Sequence, residues 1–242
     1  MAEFNGLEYF EKVYGQVPEW ASKMHQFSPT ALDHYTALRN EILVKGKMKQ
    51  KDKELILVGV NAARRYERSM LYHTKGAIDA GATVEEIIEI ISTCIISRGI
   101  PAWMTGIKAI SYALNDLKGQ YSIEPVHEEK GFTSVEECLN FFRDGSGAVP
   151  EWLNLLGKHN PDVLIQYCSL RKIVLKEQAV SRKLKELLLV GINVCERYKE
   201  GVALHVKGAR NFGATDEEIA EISLVGLLTA GIPAWFEGSD FL

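Results

Sequence analysis

Two histidines stand at equivalent places in this chain. His73 lies in RRYERSMLYHTKG and His205 in ERYKEGVALHVKG, 132 residues further on. Of the six histidines in the sequence, only this pair recurs at that interval. An imidazole that titrates near neutral pH suits proton transfer, given a carboxylate to orient it and a cation to hold an anionic substrate. Both stretches supply those types. Glu54 and Glu186 occupy the KEL segments upstream, and Arg65 and Arg197 precede Tyr66 and Tyr198. Tyr66, Ser69 and His73 are spaced by three and four residues, so a helix puts them on one stripe, as it does Tyr198, Gly201 and His205. The candidate catalytic residues are therefore His73, His205, Glu54 and Glu186. The candidate substrate contacts are Arg65, Tyr66, Ser69, Arg197, Tyr198 and Gly201. One shared histidine and one distant acid per copy fall short of the usual ligand count, so no metal is expected.

Spacing sets a condition on that chemistry. Nineteen residues separate Glu54 from His73, about 28 Å along one unbroken helix. For the two to meet, the chain must break near Asn61–Tyr66 and fold back, or the partners must come from different copies or subunits. A break there opens a new helix at Tyr66–Ser69, whose free N–H groups favour an anion. The competing reading for Glu54 and Glu186 is an exposed acid in a helix's first turn, since both sit in charged KEL contexts. For the arginines it is a surface ion pair, and for the tyrosines packing with a wet hydroxyl.

The elements that must hold these residues are helices, repeated. Shifted by 132, Pro18–Trp103 aligns with Pro150–Trp235 without a gap, and 36 of the 86 positions are identical. All four tryptophans pair, as Trp20 with Trp152 and Trp103 with Trp235. Ser28-Pro29 and Asn160-Pro161 read as N-caps followed by proline at the first helical position. Thr83–Glu86 and Thr215–Glu218 read as capping boxes, and Gly81 and Gly213 as left-handed ends of the preceding helix. Gly99-Ile-Pro101 and Gly231-Ile-Pro233 break the next one. Strand alternation is nowhere sustained, so the fold class is all-α: two tandem helical units. They divide as residues 1–117, a polar linker 118–132, and residues 133–242, with the last helix of the second unit absent or very short.

Composition narrows the function. The net charge of −4 offers no basic footprint for nucleic acid or anionic lipid. The opening MAEFNGLEYFEKVYG is acidic and has no apolar signal core. The apolar run Ile87–Ile96 is interrupted by Glu89 and is too short to span a bilayer. Four cysteines form no CxxC pair, and none recurs at the repeat interval, which suits reduced thiols in a cytoplasmic protein.

The spacing Glu-x11-Tyr-x2-Ser/Gly-x3-His, followed by GATxEEI and then GIPAW, resembles the carboxymuconolactone decarboxylase superfamily, which includes the AhpD-like alkylhydroperoxidases. The likeness covers roughly residues 30–115 and 162–240. In the peroxidase branch the pattern is Glu-x11-Cys-x2-Cys-x3-His, with Glu and His serving a cysteine pair. Here Tyr66 and Ser69, then Tyr198 and Gly201, stand at the cysteine positions, so a dithiol cycle there is ruled out. The decarboxylase branch does without those cysteines, and its resemblance implies acid/base work on a small carboxylated lactone. That branch also carries a glutamate four residues before the histidine, where this chain has Ser69 and Gly201. Single-unit relatives form trimers or hexamers, so the resemblance implies a homo-oligomer, a trimer of fused pairs.

Three functions follow from these readings. The first is a cofactor-free, decarboxylase-like (lyase) acid/base enzyme, acting through a His–Glu pocket on a small carboxylated or lactone-like metabolite. The second is an alkylhydroperoxidase- or peroxiredoxin-type protein whose redox role has moved to another thiol, such as Cys195. The third is a non-catalytic binding or assembly module.

Overall fold

The computed structural model describes residues 5–118 and 130–242, and among these residues it is helical without strands. The expected linker falls mostly outside the described residues. The first unit holds α1 (Gly6–Tyr14), α2 (Glu19–Phe27), α3 (Pro29–Val44), α4 (Gln50–Ala63), α5 (Glu67–Asp79), α6 (Val84–Arg98) and α7 (Ile100–Asp116). The second repeats them as α8 (Val135–Ser146), α9 (Glu151–His159), α10 (Pro161–Val174), α11 (Arg182–Glu196), α12 (Lys199–Asn211), α13 (Asp216–Ala230) and α14 (Ile232–Ser239). The repeat thus begins a helix earlier than Pro18, with Phe10 and Phe142 in matching places on α1 and α8. α14 stops after 8 residues where α7 runs for 17.

Local signals explain most boundaries. In α6, Thr83 Oγ1 accepts from the Glu86 amide at 3.2 Å while Glu86 Oε2 accepts from the Thr83 amide at 3.0 Å, and Thr215 and Glu218 repeat this box on α13. Gly81 and Gly213 take φ of 91° and 83°, a region only glycine enters freely. Ser28 and Asn160 depart from expectation, because neither side chain caps the helix that follows. Each residue also closes the preceding helix through its own amide, as Ser28 N–H does to the Met24 carbonyl, so no separate capping residue fits between the two helices.

The centre of the molecule is the crossing of α4 and α11, one from each unit. Every residue of α4 from Lys53 to Ala63 is buried, so this helix is apolar around most of its circumference. Leu55, Ile56, Leu57, Val58 and Val60 are wholly enclosed, each contributing about 2 kcal/mol by its burial. A Cβ on Gly59 would lie 2.6 Å from Leu188 Cδ1, so the absent side chain is what lets the two helices approach.

Two buried ion pairs lock the units together with twofold reciprocity. Lys53 Nζ meets Glu221 at 2.7 Å, and Lys185 Nζ meets Glu89 at 2.7 Å. Glu221 also accepts from the Lys47 and Met48 amides, and Glu89 from those of Ala179 and Val180. The glutamate that interrupts the apolar run of α6 is therefore a cross-unit tie. No described helix is long and apolar enough to cross a membrane. α7 and α14 leave Ile100, Met104 and Ile107, then Ile232 and Phe236, exposed on their outer faces.

Candidate functional site

The chain breaks between Asn61 and Tyr66, as a meeting of Glu54 with His73 inside one unit requires. α4 ends at Ala63 and α5 begins at Glu67, and between them Arg65 adopts φ 59°. Arg197 does the same in the second unit at φ 56°. The left-handed residue turns the chain back, and the Tyr66 amide closes the turn on the Asn61 carbonyl at 2.8 Å, matched by Tyr198 and Asn193 at 3.0 Å. A non-glycine residue in this region is uncommon and carries strain, yet both units keep an arginine there.

The reversal brings the paired residues together within each unit. His73 Nδ1 lies 2.6 Å from Glu54 Oε2, and His205 Nδ1 lies 2.7 Å from Glu186 Oε2. All four side chains are buried. The exposed-acid reading of the KEL glutamates is therefore wrong, because α5 and α12 fold back over them. Glycine makes that contact possible. A Cβ on Gly76, one turn beyond His73, would sit 2.9 Å from the Glu54 carboxyl carbon, and one on Gly208 would sit 2.8 Å from Glu186 Oε2. Both glycines are identical across the repeat, a signal that pointed to a close approach but not to its partner.

Each pair borders a pocket walled by the opposite unit. The first, of about 230 Å³, is lined by His73, Tyr66, Ser69, Arg39 and Arg68, with Leu228 and Thr229 of α13 on the far side. The second, of about 460 Å³, is lined by His205, Tyr198, Gly201 and Arg171, with Ile96, Ser97 and Arg98 of α6 on the far side. Arg65 and Arg197 line neither pocket. They are exposed at the turn, so the expected carboxylate cation is not theirs. Arg39 and Arg171 stand inside instead, only 5% and 6% exposed. That matched pair, like Tyr35 and Tyr167 beside it, is visible in the repeat. It lies on α3 and α10, far in sequence from the histidines, and only the packing of those helices reveals its place.

Electrostatics separate the two units. Burial lowers the His73 pKa below the usual imidazole range and the charge of Arg39 adds to this, while Glu54 opposes them. His205 shifts downward for the same first reason, opposed by Glu186 and reinforced by Arg171 and Arg182. Both rings are neutral near pH 7, with Nδ1–H donated to the carboxylate and Nε2 left as the free base. Burial alone would raise Glu186, but the His205 bond and the two arginines outweigh it and bring the pKa to about 2. Arg182 donates to Glu186 Oε1 from Nη2 at 2.7 Å and from Nε at 3.0 Å. Its counterpart is Gln50, and Glu54 Oε1 is buried without a hydrogen-bond partner among the described residues.

All four cysteines are buried, and burial pushes Cys94, Cys168 and Cys195 up to about 12, far from the thiolate form at neutral pH. Among the described residues no group of three or more His, Cys, Asp or Glu side chains is gathered for a metal ion.

Two tandem all-helical units, each with a folded-back Glu–His pair, define a class that comparison with known proteins identifies. Residues 29–111 and 161–241 match the Carboxymuconolactone decarboxylase family, and the chain belongs to it. An uncharacterized protein of Methanocaldococcus jannaschii, MJ1511, is 28% identical over 116 residues, covering 48% of this chain and 98% of the relative. Among solved structures, a provisionally assigned gamma-carboxymuconolactone decarboxylase subunit from Burkholderia xenovorans LB400 superposes with a TM-score of 0.71 at 19% identity. That match covers 97% of this chain and 93% of the other. A second provisionally assigned carboxymuconolactone decarboxylase from the same organism is 32% identical over 48% of this chain and 94% of its own, with a TM-score of 0.44.

Proposed function

We propose that the first pocket is the active site of a cofactor-free acid/base enzyme acting on a small carboxylated or lactone-like metabolite. The observation that carries this reading is the buried His73–Glu54 pair, 2.6 Å apart, at the wall of a pocket that also presents Arg39 and Arg68. In this reading His73 Nε2 removes a proton from carbon next to a carbonyl and returns it as the acid. Glu54 holds the Nδ1–H tautomer and stabilises the imidazolium that forms transiently. Where the substrate loses CO2, the electron pair left on carbon passes into the adjacent carbonyl, and the carbon is then reprotonated. Arg39 and Arg68 anchor the substrate carboxylate, with the α5 amides of Glu67–Ser69 beside them at a helix start. The family membership favours lactone-type carboxylates as the first compounds to assay.

Deuterium incorporation from D2O into candidate carboxylated lactones, followed by NMR alongside CO2 release, tests the reading. His73→Gln is expected to lower the exchange rate by about 10²-fold or more with little change in melting temperature. Exchange that survives in folded His73→Gln removes this pocket as the catalytic centre and leaves a binding or assembly role.

A further inference from the structure

The second pocket has inverted the arrangement of the first. Among the described residues Glu54 keeps a buried oxygen without a partner, whereas Glu186 is saturated by His205 and Arg182. The arginines behind them change in the opposite sense. Arg39 donates from Nη2 to the Tyr14 hydroxyl and lies over that ring at 5.5 Å. Tyr14 becomes Ser146 in the second unit, and its hydroxyl turns to the Phe142 and Ala148 carbonyls. Arg171 therefore has no hydrogen bond or ion pair among the described residues. It is 6% exposed, rests 5.0 Å from the Phe142 ring, and lines the larger cavity.

A second guanidinium enters this cavity from the other unit. Arg98, at the end of α6, lines it with a buried Nε that has no partner among the described residues, its Nη1 donating to the Ser97 carbonyl at 3.1 Å. The corresponding position beside the first pocket is Ala230, so this cation belongs to the second alone. Arg171 is enclosed with no bonded anion, feeling Glu186 only through space because that carboxylate is taken by His205 and Arg182. The partly exposed Arg98 adds a second positive charge to the same cavity, so an added anion is favoured there. Planar forked donors match a carboxylate. Trp152, Tyr167 and Leu204 supply an apolar wall for the rest of a ligand. Glu151 and Glu200 also line the cavity, Glu200 standing where the first pocket has Arg68, and their charge opposes a multiply charged anion.

We propose that the second pocket is a binding site for a small organic monocarboxylate with a flat apolar body, its carboxylate held between Arg171 and Arg98. The His205–Glu186–Arg182 cluster buttresses this site from behind. The site is separate from the acid/base pocket and does not depend on whether that pocket turns over any substrate.

Benzoate is the probe, with inorganic phosphate for comparison, in a Trp20→Phe background so that Trp152 reports as the pocket-lining tryptophan. A saturable change in emission is expected, with phosphate at least about tenfold weaker, a difference of about 1.4 kcal/mol. Arg171→Gln should weaken benzoate by about tenfold or more, as expected for loss of a charge-assisted pair. Arg98→Gln, on the other unit and partly exposed, should weaken it severalfold and keeps the test valid if Arg171→Gln does not fold. Absence of a saturable response, benzoate affinity unchanged in the arginine variants, or phosphate binding tighter than benzoate would each overturn the proposal. Affinity lost in Arg39→Gln instead would do the same by moving the anion to the first pocket.

Discussion

Glu54 and Glu186 occupy the same place in the repeat and do opposite things with their second oxygen. One residue, Gln50 against Arg182, makes the difference, by leaving the first carboxylate one donor short and satisfying the second. The downward shift of His73 comes from enclosure first and is reinforced by Arg39, with Glu54 opposing both. Two consequences follow for pH. Activity that uses Nε2 as base should climb through a midpoint below about 6.5 and stay level above it. A pH–rate profile of the D2O exchange reaction with its rising limb at or above 7 would contradict that assignment. Stability has the same sign. An unfolded chain takes up protons on these histidines at higher pH than the folded one does, so the folded state is favoured fully above about 6.5 and loses ground as pH falls below it. Glu186 adds a second loss between about 4.5 and 2. Melting temperatures measured from pH 7 down to 4 should fall accordingly, and less steeply in His73→Gln.

At the scale of helices, the site depends on how closely α5 can lie on α4. The turn at Arg65 reverses the chain, the Tyr66 amide fixes the reversal, and Gly76 lets the returning helix settle over a carboxylate. An alanine within a helix is ordinarily better than glycine by about 1 kcal/mol. At Gly76 the added methyl meets the Glu54 carboxyl at 2.9 Å, and that group is tied to His73 and walled in. Overpacking therefore wins, and Gly76→Ala is expected to cost a net 1–3 kcal/mol or so and to shift the His73 ring resonances by NMR. Urea melts showing unchanged or higher stability would mean that the glutamate has room to move, so that the pair is less fixed than its 2.6 Å contact implies.

Across the whole molecule, neither pocket is complete in a single unit. α13 closes the first and α6 the second, so the cross-unit ties govern both sites. Lys53 and Lys185 are the largest fully buried side chains, and each spans from its own helix to a glutamate of the other unit. Lys53→Met would leave Glu221 with only two backbone amides in a largely enclosed position, a loss of about 3 kcal/mol. The double variant Lys53→Met with Glu221→Gln should recover part of that loss. Equal destabilisation in single and double variants would show that the pair adds nothing beyond packing.

The 132-residue repeat, the helical class, the capping boxes and the glycine ends all follow from local patterns, because caps, turns and spacing act within a few residues. The histidine and glutamate were readable as candidates that could act together only if the chain broke near Asn61–Tyr66 or the partners came from different copies or subunits. The structure pairs them within each unit. Burial of the KEL glutamates was not readable, since it results from coverage by helices elsewhere in the chain. Nor was the cation at the pocket. Arg65 and Arg197 lie near the histidines in sequence but point to solvent, whereas Arg39 and Arg171 are brought in by α3 and α10. The closing of each pocket by the opposite unit and the unlike wiring of two like carboxylates depend on contacts between residues far apart in the chain. Such contacts exist only once both units have packed across α4 and α11.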